Sequence, residues 1–159
     1  MNRILVAVDD TKGSLQVVET LKNLLGGCSD CNCMPETIIL LYVQKPEGRS
    51  VMSDLLLSAS EMTTLRESLQ GTEHQAQLDQ KAEMVLNYFK DLLEKQGFSG
   101  IKQLAIQGHP AEEILKAAQE EEAEMIIMGS RGKRLHNLWM GSISREVANT
   151  AEMAVLIAK

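Results

Sequence analysis

Met125-Ile126-Ile127-Met128-Gly129-Ser130-Arg131-Gly132, followed after eight residues by Gly141-Ser142, is a short apolar run that stops in glycine and passes into a helical pattern. An apolar run of this length bounded by glycine reads as a strand buried on both faces. The glycine-rich turn that leaves it has the layout of an anion cradle. Glycine tolerates positive φ and close approach of a ligand, and the first N–H groups of the next helix are unpaired and carry partial positive charge.

The same strand-then-helix alternation extends in both directions. Ile4-Leu5-Val6-Ala7-Val8 is a second continuous apolar run, ending in Asp9-Asp10, and predicts a central strand. From Ser14, the positions Leu15, Val18, Leu21, Leu24 and Leu25 follow helical spacing until Gly26-Gly27. Thr37 to Val43 predicts another buried strand, closed by Pro46 and Gly48. Leu78, Ala82, Val85, Phe89 and Leu93 share a helix face that stops at Gly97. Ile101 to Ile106 alternates enough to suggest a strand at a sheet edge, and Pro110 with Glu112-Glu113 opens a helix. Ile143, Val147 and Ala151 mark the last helix, and Ala154 to Ala158 the last strand.

Five strands alternating with four helices imply an α/β fold, a doubly wound parallel sheet covered on both faces. The length of 159 residues suits a single domain over 1–159, and residues 44–75 form a variable stretch in which no period is sustained. In such a sheet a ligand binds outside the carboxyl ends of the strands, where strand order reverses. The Asp9-Asp10-Thr11 loop and the glycine loop both follow strands. If those strands are neighbours astride the reversal, carboxylates and an anion cradle face one crevice, which suits a nucleotide.

Composition narrows the classes. A net charge of −6 and only five aromatic residues (Tyr42, Tyr88, Phe89, Phe98, Trp139) argue against a dedicated nucleic-acid binder. No run approaches the ~20 apolar residues of a membrane span, and the N-terminus enters a strand pattern at once, so no membrane association and a cytoplasmic location are expected. Cys28, Cys31 and Cys33 offer three thiols where a closed zinc site wants four ligands, which leaves a polar loop, or a thiol or metal sensor, as readings. A Walker A loop is excluded because Gly132-Lys133 is followed by Arg134, and no G-x-G-x-x-G follows the first strand. Asp10, Arg131, Lys133 and His136 are open to either a solvated or a ligand-facing role.

These residues together carry a resemblance. Ile4-Leu5-Val6-Ala7-Val8-Asp9, Leu40-Leu41-Tyr42-Val43, Gly108-His109-Pro110 and the stretch from Met125 through Gly132 to Gly141-Ser142-Ile143-Ser144 resemble the adenine-nucleotide-binding branch of the universal stress proteins. The spacer from Lys133 to Met140 is one residue shorter than the family pattern. The resemblance implies a flavodoxin-like, adenine nucleotide alpha hydrolase-like sheet of order 3-2-1-4-5. It also implies a homodimer through the terminal strand 154–158, which would pair an otherwise open edge.

By the same resemblance the ligand is ATP or another adenine nucleotide, with Mg²⁺. Asp9 would bind the ribose, and Ala7 and Val43 would line the adenine pocket. Gly129, Arg131, Gly132, Gly141, Ser142 and Ser144 would surround ribose and phosphates, with Val8, Met128 and Ile143 alongside them in the binding set. No residue is assigned a catalytic role, because nothing beyond Asp9 and Asp10 suggests a general base. The expected activity is at most slow ATP hydrolysis or autophosphorylation, with Ser142 or Ser144 as acceptors. The expected role is nucleotide-dependent regulation in stress, with a nucleotide-free dimeric interaction module as the alternative.

Overall fold

A computed structural model describes residues 2–25, 34–45, 73–130 and 140–159. The elements run β1 (Arg3–Val8), α1 (Lys12–Leu25), β2 (Thr37–Gln44), α2 (Glu73–Lys95), β3 (Ile101–Gln107), α3 (Pro110–Glu120), β4 (Met125–Gly129), α4 (Ser142–Thr150) and β5 (Ala154–Ala158). All five strands are parallel and lie in the order β3-β2-β1-β4-β5. The cysteine segment, most of the stretch 44–75, and residues 131–139 with Arg131, Gly132, Lys133 and His136 lie outside the described residues.

Successive side chains of a strand point to opposite sheet faces, so a continuous apolar strand supplies two cores at once. Ile4, Val6 and Val8 of β1 join Ile38, Leu40 and Tyr42 of β2 beneath α1 and α2. Leu5 of β1 joins Ile39 and Leu41 of β2 beneath α3 and α4. The middles of the three inner strands are accordingly sealed. The outer strands β3 and β5 carry mostly half-buried residues, as the alternating pattern of 101–106 predicts for an edge.

The helix ends follow local chemistry. At the end of α2, Gly97 takes φ +88°, its N–H donates to Glu94 O and that of Phe98 to Leu93 O. This is a Schellman closure, and the buried Phe98 supplies its apolar contact. α3 closes the same way through Glu122, at φ 53°, with Glu122 N donating to Gln119 O and Ala123 N to Ala118 O. No glycine marks that stop, which falls inside the acidic run Glu120-Glu121-Glu122. α1 begins at Lys12, so Ser14 lies inside its first turn. No helix among the described residues is long and apolar enough to cross a membrane.

Leu41 has no solvent exposure, whereas Leu104 on the same face is half-buried at the edge. Leu41→Ala is therefore expected to lower unfolding free energy by about 2–5 kcal/mol, with Leu104→Ala clearly less costly, as read by urea denaturation.

Candidate functional site

β1 and β4 are hydrogen-bonded neighbours at the centre of the sheet, with Ala7 opposite Met128. From β1 the chain goes outward to β2 and β3, and on the other side lie β4 and β5. The carboxyl ends of β1 and β4 therefore flank the point where strand order reverses, the position at which doubly wound sheets bind ligands. The Asp9-Asp10-Thr11 loop and the described ends of the glycine loop, at Gly129-Ser130 and Gly141-Ser142, flank this crevice.

On the β1 side, Asp9 is half-buried and held through one oxygen. Its Oδ1 accepts from Thr11 N at 3.0 Å, from Ser14 Oγ at 2.6 Å and from Thr11 Oγ1. Ser14 Oγ in turn accepts from Asp9 N at 2.8 Å. Asp10, next along, pairs with Lys81 of α2 at 3.0 Å. Sequence reasoning missed Thr11 and Ser14. The available signal was an Asp followed two residues later by Thr, the spacing of a local side-chain-to-backbone turn, with a Ser just inside the helix.

On the β4 side, the ends of the glycine loop are pinned. Ser130 N donates to Ala158 O at 2.8 Å, and Gly141 N donates to Ser130 O at 2.8 Å, so Ser130 and Gly141 are held together beside the end of β5. Ser144 Oγ, from the first turn of α4, donates to Gly129 O at 2.8 Å and is 4% exposed. Gly141 caps α4 without a side-chain hydrogen bond, and the first helical backbone bond is Arg145 N to Gly141 O. The N–H groups of Ser142, Ile143 and Ser144 thus have no acceptor among the described residues, the arrangement that suits an anion.

The described glycines of this loop are not there for positive φ. Gly141 sits at φ −70°, and the positive-φ glycines among the described residues are Gly97 and Gly100. Gly129 instead permits close approach. A Cβ there would lie 2.9 Å from both C and O of Gly13, in the first turn of α1. The partner of that approach is the protein's own backbone.

The remaining candidates divide by sheet face. Ala7, Val43, Met128 and Ile143 belong to the α3/α4 side. There Leu5, Ile39 and Ile126 are sealed, while Ala7, Val43 and Ile143, nearer the carboxyl ends, are half-buried and form a partly open apolar shelf. Val8 packs its side chain into the opposite core, so it reaches the crevice only through its backbone. Ser142 is exposed at the start of α4. Among the described residues no group of three or more His, Cys, Asp or Glu side chains is placed to hold a metal ion.

This sheet order, with its crevice at the central reversal, defines a doubly wound α/β protein of the adenine nucleotide alpha hydrolase-like kind. A family model described as "Universal stress protein family" matches residues 1–159, and the chain belongs to that family. The universal stress protein MJ0577 of Methanocaldococcus jannaschii is 33% identical over 128 residues, covering 78% of this chain and 77% of the relative. The solved structure of MJ0577 superposes with a TM-score of 0.74 at 26% identity, over 99% of this chain and 95% of that one. A universal stress protein family protein from Arabidopsis thaliana, solved with AMP bound, shares the fold with a TM-score of 0.63 at 18% identity, over 100% of this chain and 92% of that one.

Gly129→Ala is expected to lower unfolding free energy by roughly 1–3 kcal/mol, because backbone rather than a flexible side chain must move to admit the methyl group. Thermal denaturation beside Gly97→Ala, where a Cβ meets nothing within 4 Å but φ is positive, separates overpacking from backbone strain.

Proposed function

We propose that this chain is a single-domain, adenine-nucleotide-binding universal stress protein in which ATP, with Mg²⁺, occupies the crevice between β1 and β4. The observation that carries this reading is the convergence of a held carboxylate, Asp9, and the unpaired N–H end of α4 on adjacent central strands. A carboxylate suits ribose hydroxyls, and helix N–H groups suit phosphates. The half-buried shelf of Ala7 and Val43 has the apolar character an adenine ring needs. Relatives of the same fold were solved with AMP, dAMP and cAMP, ligands of this class.

In this reading Gly129, Gly141, Ser142 and Ile143 border the phosphates, with Arg131 and Gly132 continuing the loop. Mg²⁺ fits as a nucleotide-borne ion, held mainly by phosphate oxygens and water, since such ions need few protein ligands. The output is regulatory: bound nucleotide alters a cytoplasmic homodimer joined through β5. That strand is an outer one, paired with β4, and Val155, Leu156 and Ile157 are half-buried on it. Where phosphoryl transfer to the protein occurs, Ser142 is the better acceptor, because the Ser144 hydroxyl is buried and already donates to Gly129 O.

Titration with ATP and Mg²⁺ by calorimetry is expected to give saturable binding that a Gly132→Val, Gly141→Val double variant abolishes. Absence of heat and of any thermal shift at millimolar ATP would instead favour the nucleotide-free interaction module. Chelating Mg²⁺ is expected to weaken ATP markedly and AMP hardly at all, since AMP lacks the outer phosphates whose charge such an ion would offset.

A further inference from the structure

Asp9 Oδ1 receives three donors: Thr11 N, Thr11 Oγ1 and Ser14 Oγ. A carboxylate oxygen offers about two lone-pair sites, so this oxygen is saturated by the protein itself. Oδ2 has no partner among the described residues. Ser14 is 3% exposed and bonds Asp9 twice, donating to its carboxylate and accepting from its N–H. Carboxylate and backbone are thereby locked together.

We propose that Thr11 and Ser14 are positioning residues that restrict Asp9 to a single accepting oxygen, Oδ2, and so make the site select nucleosides bearing a free ribose hydroxyl. This rests on the nucleotide reading above and adds a substrate class to it. A carboxylate with both oxygens free swings about its side-chain torsions and accepts from whatever donor or water is near. One tethered through Oδ1 presents Oδ2 at a set place, and the hydroxyl that meets it loses no energy to reorganisation. The turn that carries these donors also carries Gly13, whose backbone abuts Gly129 at the mouth of the glycine loop. The position of Oδ2 is therefore referenced to the anion cradle, so hydroxyl and phosphate are measured against each other.

The test uses the full chain and two probes, AMP and 2′,3′-dideoxy-AMP, titrated by calorimetry. The wild-type protein is expected to favour AMP by about tenfold or more, the worth of one charge-assisted hydrogen bond. Ser14→Ala is expected to weaken AMP by roughly tenfold while leaving the dideoxy analogue within about twofold, so that discrimination collapses. Thr11→Val, which removes a different donor, is expected to act in the same direction and serves if Ser14→Ala does not fold. Equal weakening of both probes, or unchanged preference for AMP in both variants, overturns the positioning role. Wild-type binding of both probes with equal affinity overturns hydroxyl selection while sparing the nucleotide site, whereas binding of neither, and of neither ATP nor its dideoxy analogue with Mg²⁺, overturns the nucleotide reading itself.

Discussion

The parallel pairing of β1 with β4 is the contact on which the rest of the structure depends. It makes β1 the central strand, sealed on both faces, and sets the reversal of strand order between two carboxyl ends. Everything at the crevice is referenced to that seam. Asp9 leaves one side of it, Gly129 the other, and the backbone of Gly13 closes against Gly129 so tightly that no Cβ fits between them. The first turn of α1 and the end of β4 are thus set against each other by backbone packing.

The polar groups at the crevice divide into those that build it and those it leaves available. Ser14, Thr11, Ser130 and Ser144 are used internally, each giving or taking hydrogen bonds that hold a loop end. The first N–H groups of α4 and the second oxygen of Asp9 are left without acceptors or donors among the described residues. Buried polar groups are costly when unpaired, and among the described residues no buried side-chain polar atom is unpaired. The unmet hydrogen-bonding capacity therefore collects at the half-buried rim, where a ligand can meet it.

Much of this was legible in the chain. The apolar runs at 4–8, 37–43 and 125–128 read directly as strands buried on both faces, and Gly97 marks the end of α2 because it alone there takes a left-handed turn cheaply. The end of α3 was not legible, since Glu122 adopts positive φ without the glycine that usually announces it. Asp9 was a candidate from its place after a strand. Ser14 was not, because a serine in the first turn of a helix has an ordinary local use, and only the chain reversal after β1 brings its hydroxyl back onto Asp9.

The sequence by itself determined which segments are strands and helices, that the sheet is parallel and doubly covered, and that the glycine loop follows a buried strand. Those properties follow from hydrophobic period and local turn chemistry, which act over a few residues. Tertiary structure alone decided that β4 lies against β1, that Gly129 is small for the sake of Gly13, and that Val8 faces α1 and α2 while Ala7 faces α3 and α4. Each of these joins residues distant in the chain, or depends on which helix covers which face. Spacing within one segment carries no record of either.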